Sequence, residues 1–173
     1  MTDPFAGEAL TSVAIRPAAA EDWPGIYPFY AAIVEAGETY AFPPGQSLEE
    51  ARPWWMEGPP GLTVVAVDAD EILGSAKMGP NRPGRGAHVA TASFMVDPAH
   101  RGRGVGRALG EYALAWASDA GYSAMQFNAV VETNTHAVNL YKSLGFEIAG
   151  TLSEGFKHPT QDYVGLHILY RKL

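Results

Sequence analysis

The chain contains no cysteine. Disulfides, thiolate metal sites and a cysteine nucleophile are therefore excluded. No apolar run comes near the roughly 18 residues that suggest a membrane span. The first stretch, MTDPFAGEALTSVAI, lacks a basic segment followed by an apolar one, so no secretory signal is read there. Positive charge is scarce: 12 Lys and Arg stand against 19 Asp and Glu, for a net charge of −7. A general nucleic-acid binder would be basic, so that class is set aside. His88, His100, His136, His158 and His167 are scattered with no H-E-x-x-H among them, and no metal site is expected. There is no internal repeat and no low-complexity tract. With 47% apolar residues over 173 positions, the expectation is one globular domain, cytoplasmic, behind a loose leader over residues 1–11.

Hydrophobic periodicity then sets out the elements. VAIRPA (Val13 to Ala18) reads as a strand. EDWPGIYPFYAAIVEAG reads as a helix with Asp22 as a possible cap, and Pro28 in its first turn or at a kink. SLEEARPWWMEG reads as a second helix, with Ser47 and Glu50 as a capping box. LTVVAVDA and EILGSAKMG are strands joined by a tight turn near Asp68 to Asp70, and AHVATASFMV (Ala87 to Val96) is a longer strand. A helix follows to about Gly121, then the strand SAMQFNAVV, then the helix TNTHAVNLYKSLG, closed by Gly145. FEIAGTL is a strand, SEGFKHPTQ a loop and DYVGLHILYRK the last strand. The order β-α-α-β-β-β-α-β-α-β-β predicts an α/β fold with a central mixed, mostly antiparallel sheet and helices on both faces.

The arginines are concentrated. Arg82, Arg85, Arg101, Arg103 and Arg107 share one window whose only acid is Asp97. Arg101 to Arg107 holds three arginines and three glycines, and a helix begins inside it at about Gly104. Val105, Ala108, Leu109, Tyr112, Ala113 and Trp116 form the apolar stripe of that helix. The first turn of a helix carries free N–H groups and the positive end of its dipole. Glycine lets main chain approach a ligand, and arginine adds charge and fork-shaped donors. A strand, such a turn and a helix together make a cradle for phosphate oxygens. The Gly-Lys-Ser/Thr of a P-loop is missing. Arg107 stands where the third glycine of a dinucleotide fingerprint starting at Gly102 would be.

RGRGVG (Arg101 to Gly106) matches the R/Q-x-x-G-x-G/A signature of the GCN5-related N-acetyltransferase (GNAT) superfamily, and VDPAHRGRGVGRAL resembles its acetyl-CoA motif throughout. ETNTHAVNLYKSLGF resembles the family's N-x-x-A-x-x-L-Y-x-x-L-G-F motif, with Asn134, Ala137, Leu140, Tyr141, Gly145 and Phe146 in place. The resemblance spans nearly the whole chain, and residues 12–173 would form one N-acetyltransferase domain. It implies acetyl-CoA as co-substrate. Phe94, Met95 and Val96 would pair main chain with the pantetheine arm. Arg101, Gly102, Arg103, Gly104, Val105, Gly106 and Arg107 would hold the pyrophosphate. Asn134 would contact the cofactor, and Tyr141 would protonate the departing thiolate. From spacing alone, Tyr141 reads equally as a core aromatic beside Leu140 and Leu144.

Without cysteine, direct attack by the acceptor amine is expected, and Glu132, Glu38 and Glu35 are the carboxylates considered as its base. Gln126 and Asn128 share one face of a strand expected to be covered on both sides, so their amides need partners. FNAVVETN resembles the branch that acetylates azetidine-2-carboxylate and other proline analogues, which places Asn128 against the acceptor. ETYAF (Glu38 to Phe42) resembles the substrate loop of small-amino-acid acetyltransferases, including the phosphinothricin type, which adds Glu38 and Tyr40. SEGFKHPTQDY would be either a substrate wall or a plain hairpin loop. A small-molecule amine is thus the expected acceptor, with a polypeptide amine as the alternative and an acyl-CoA-binding module without turnover as a third reading. The resemblance also admits a homodimer.

Overall fold

The computed structural model describes residues 13–173, so the leader expected over residues 1–11 lies outside the described residues. Seven strands form one sheet in the order β1-β2-β3-β4-β5-β7-β6. They are β1 (Ala14–Pro17), β2 (Leu62–Asp68), β3 (Glu71–Pro80), β4 (Val89–Val96), β5 (Ala124–Val131), β6 (Glu147–His158) and β7 (Asp162–Lys172). Every neighbouring pair is antiparallel except β4 with β5. The helices are α1 (Trp23–Ala36), α2 (Leu48–Trp55), α3 (Val105–Asp119) and α4 (Thr135–Ser143). This is the expected order of elements.

The pleat of the sheet sends alternate residues to two cores. Val64, Ala66, Leu73, Ala76, Met78, Ala90, Ala92, Met125 and Phe127 pack with α3 residues Val105, Leu109 and Ala113. Val65 and Met95 pack on the other face with Trp23, Ile26, Phe29, Tyr30 and Trp55 of α1 and α2. Leu109 is fully buried, which stabilises the helix–sheet contact by roughly 1.5–3 kcal/mol. Gly110 belongs to this packing too. A Cβ there would lie 2.6 Å from Leu144 Cδ1, so any larger residue would push the Leu144 side chain aside. On the second face Trp55 Nε1 donates to Ser75 Oγ at 2.9 Å, and Ser75 Oγ donates to Val64 O at 2.8 Å. The buried polar atoms are thereby satisfied and α2 is pinned to the sheet.

The capping box forms: Ser47 Oγ accepts from Glu50 N at 3.2 Å and Glu50 Oε2 accepts from Ser47 N at 2.9 Å. Two expectations change and one narrows. Asp22 does not cap α1 with its side chain; its carboxylate accepts from Ala19 N and from Arg16, closing the turn before the helix instead. Pro28 lies in the second turn, inside α1. The SEGFKHPTQ loop is mostly strand, because β6 runs through to His158. Its register with β7 shifts between Leu152 and Phe156, with Glu154 at a φ of 53°. That irregularity lets β6 resume and bury Phe156 against Val131 and Val164. A bulge of this kind leaves no simple alternation for sequence reading to follow.

Candidate active site

β4 and β5 start as a parallel pair at Val89↔Ala124 and Ala90↔Met125. Beyond that point no ladder joins them, while β5 continues against β7 and β4 against β3. The sheet therefore opens into a gap between Thr91–Val96 on one lip and Gln126–Val131 on the other. Main-chain groups of β4 that would have bonded β5 are left at the gap's edge, where each needs a partner.

Two tyrosines from opposite faces of the sheet meet at this edge. Tyr141, on α4, lies across the lips: its ring is 5.9 Å from Phe94 of β4 and 4.7 Å from Phe127 of β5. Tyr40 comes from the stretch between α1 and α2. Its hydroxyl donates to Phe94 O at 2.6 Å and accepts from Phe94 N at 3.0 Å. Phe42 at 5.1 Å and Trp55 at 6.1 Å hold its ring. Burial raises both phenols above their ordinary value, and for Tyr40 the nearby Tyr141 adds to the rise while hydrogen bonds with Phe94 and Ser93 oppose it. Both are neutral donors at neutral pH.

The gap leads to the glycine–arginine turn after β4. Gly102 and Gly104 have φ of 80° and 76°, left-handed conformations that a Cβ disfavours. Gly104 caps α3, and the first amide to bond within the helix is Ala108 N, to Gly104 O at 3.0 Å. The amides of Val105, Gly106 and Arg107 precede that bond and face out of the helix end. The arginines divide. Arg103 Nη2 donates to Asp68 Oδ2 at 2.6 Å, and Nη1 lies 3.3 Å from His100 Nδ1, so its side chain braces the turn against the β2–β3 hairpin. Arg107 donates to Ser143 Oγ at 2.7 Å and pairs loosely with Glu111. Arg101 is exposed. Arg82 and Arg85 precede β4, so the strand separates them from the cradle by roughly 25 Å at about 3.3 Å per residue. Their nearness in sequence to Arg101 therefore does not put them at the turn.

On the face toward α1 and α2, Asn128 is exposed rather than covered, because α1 packs on β3 and β4 and stops short of β5. Its partners are amides. Gln126 Nε2 donates to Asn128 Oδ1 at 3.0 Å, and Asn128 Nδ2 donates to Asn81 Oδ1 at 2.6 Å.

The profile described as the Acetyltransferase (GNAT) family matches residues 21–146. The chain belongs to this family. A solved GNAT structure from Kribbella flavida superposes with a TM-score of 0.90 at 58% identity, covering 93% of this chain and 98% of that one. A phosphinothricin acetyltransferase from Sinorhizobium meliloti, solved in complex with AcCoA, superposes at 0.83 with 22% identity, over 93% and 88% of the two chains. N-acetyltransferase aca1 of Schizosaccharomyces pombe is 29% identical over 136 residues, 70% of this chain and 65% of that protein. The chain thus spans just under two thirds of that relative's length, and 16% of the length of the yeast protein SPT10.

As a GNAT chain, the protein has acceptor-base candidates in unequal settings. Glu132 Oε1 accepts from Gly165 N at 2.6 Å and so closes the β5–β7 junction. Glu35 and Glu38 are exposed. Asn134 is the N-cap of α4, with Oδ1 accepting from Ala137 N at 3.3 Å, which leaves its Nδ2 donors for a ligand. His136 is exposed on α4. Among the described residues no cluster of three His, Asp or Glu could hold a metal ion, and no helix is long and apolar enough to cross a membrane. Sequence reasoning missed Asn81 as the partner of Asn128 and the contact of Tyr40 with Phe94 main chain. Both join residues about 50 apart with no motif between them.

Proposed function

We propose that the protein is an acetyl-CoA-dependent N-acetyltransferase, with residues 12–173 as its acetyltransferase domain, acting on a small amine that carries a polar group such as a carboxylate. The observation that carries this is the gap between β4 and β5, with the Arg101–Arg107 turn at one end and Tyr141 across its lips. The residues suit the co-substrate: edge main chain from Phe94 to Val96 for an amide-bearing arm, with Phe94 at its acyl end, and helix-end amides at Val105 to Arg107 for a diphosphate. Acetyl-CoA supplies an activated acyl carbon and a thiolate leaving group. Tyr141 stays protonated and offers its O–H at the gap. Because burial raises Tyr141 above an ordinary phenol, and a thiol ionises near 8.5, its part is to hold a hydrogen bond to the developing thiolate rather than to surrender its proton early.

The acceptor side favours a small polar amine. Asn128, Gln126 and Asn81 present neutral amides, joined in one run of hydrogen bonds. Lys77, opposite Ser93 in the β3–β4 pair, donates to Trp54 O at 2.8 Å and pairs with Glu57 Oε1 at 3.4 Å, so its charge is already matched. A lysine peptide would be better served by a carboxylate-lined groove. Release of free CoA from acetyl-CoA, followed with a thiol reagent, tests this across azetidine-2-carboxylate, phosphinothricin-like amino acids, polyamines and a lysine peptide. The cysteine-free chain adds no background. Turnover with the amino-acid analogues is expected, and Asn128→Ala should raise KM for the best of them about tenfold with acetyl-CoA affinity unmoved. Turnover with the lysine peptide alone would move the acceptor to polypeptides. Binding without turnover on any amine would leave an acyl-CoA-binding module.

A further inference from the structure

The main-chain N–H and C=O of Phe94 sit where the sheet opens, and a single side-chain oxygen serves both. Tyr40 Oη accepts from the amide at 3.0 Å and donates to the carbonyl at 2.6 Å. We propose that the Tyr40 hydroxyl holds the place of the acyl carbonyl oxygen on the Phe94 amide and yields it when the acyl donor binds, so that Tyr40 is a positioning residue for the acetyl group. This rests on the acetyl-CoA reading above.

Four observations lead to it. The Phe94 amide belongs to the strand edge that lost its partner after Ala90, and a strand-edge amide without a partner is costly once water is excluded. The atom that satisfies it is an oxygen acceptor, the same hydrogen-bonding type as a thioester carbonyl. That oxygen enters from the α1–α2 face, opposite to Tyr141, so it blocks the amide without blocking the second phenol. Finally, Tyr40 is not part of a helix or strand, so releasing the amide shifts a connecting segment and leaves β4 in register with β3. The same segment carries Glu38 and Phe42, and the Phe42 ring stacks on Tyr30 at 6.0 Å and meets Trp54 at a tilt at 5.5 Å. Donor binding is thereby coupled to the wall that faces the acceptor.

The test is a calorimetric comparison of wild type with Tyr40→Phe, using acetyl-CoA, CoA and S-ethyl-CoA, the last two lacking the carbonyl oxygen. With the competing hydroxyl gone, acetyl-CoA is expected to bind about three- to tenfold more tightly, the worth of one net hydrogen bond. CoA and S-ethyl-CoA should be unchanged, so the acetyl-CoA to CoA preference rises. A merely structural role would move all three together. An unchanged preference overturns the inference, and so does weaker acetyl-CoA binding, which would make the hydroxyl a donor to the acyl group. If wild type does not bind acetyl-CoA at all, the acetyltransferase reading itself fails. Should Tyr40→Phe prove too unstable to titrate, wild-type tryptophan fluorescence serves instead, since Trp55 packs on the Tyr40 ring. Acetyl-CoA is expected to change it more than S-ethyl-CoA does, and equal changes overturn the inference.

Discussion

The two sides of the gap are built in different ways. The proposed donor side is one continuous run, Phe94 to Arg107, and would work mainly through main chain: strand-edge groups, left-handed glycines and helix-end amides. The acceptor side proposed above draws on residues from separate elements, Asn81 before β4 and Asn128 on β5 among them, and would work through side chains. Recognition by main chain demands particular backbone angles over consecutive residues, and these demands leave a readable pattern. Recognition by side chains demands only that distant residues converge, which sheet order decides.

The contrast predicts where substitutions act. The largest effect belongs to Tyr141, which stands between the two sides. Tyr141→Phe should lower kcat about a hundredfold, the usual loss when one hydrogen-bond donor to a developing charge is removed, while acetyl-CoA affinity stays within about twofold. A parallel collapse of binding would make the ring, not the hydroxyl, its contribution. Next comes the donor side. Gly104→Val forces a β-branched residue to a φ of 76°, at about 1–2 kcal/mol or more. No atom lies within 4 Å of the Cβ it would add, so strain rather than a clash sets the cost. Acetyl-CoA affinity should fall about tenfold, and Gly104→Asn, which tolerates that conformation, should keep most of it. Equal losses in both would point to crowding of the ligand instead.

Further down the scale, the acceptor side is tested at Asn81. Asn81 Oδ1 takes one donor of Asn128 at 2.6 Å. Asn81→Ala frees the Asn128 amide to rotate, so acceptor KM should rise about threefold, with kcat and acetyl-CoA affinity unchanged. An effect on acetyl-CoA affinity would erase the boundary between the two sides. No sequence pattern marks this pair, whereas the glycine turn ahead of α3 and all four α-helices were legible from glycine spacing and apolar periodicity. The errors share a cause. Arg82 and Arg85 share a sequence window with the glycine turn, and sequence distance hides the strand that separates them. The end of β6 was read as a loop because a bulge interrupts its alternation. Asn128 was placed under cover because periodicity gives the face of a strand, not how far a neighbouring helix reaches.

The smallest effect separates arginines within the cradle itself. The motif treats Arg101, Arg103 and Arg107 alike, yet Arg103 is turned away to Asp68 at 2.6 Å, with the two side chains 29% and 27% exposed. A partly exposed ion pair contributes about 0.2–1 kcal/mol. Arg103→Ala should therefore lower Tm by roughly 2–4 °C per kcal/mol lost and leave acetyl-CoA affinity within about twofold. Asp68→Asn should have a similar thermal effect, and the double variant should lose less than the sum, because the two changes remove one interaction. Arg101→Ala should do the reverse, with little change in Tm but weaker acetyl-CoA binding and a shallower dependence on salt, since an exposed charge near phosphate acts through a screened field. If Arg103→Ala reduced affinity as much as Arg101→Ala, the brace would also be a ligand contact, and the donor side would depend on side chains as well as main chain.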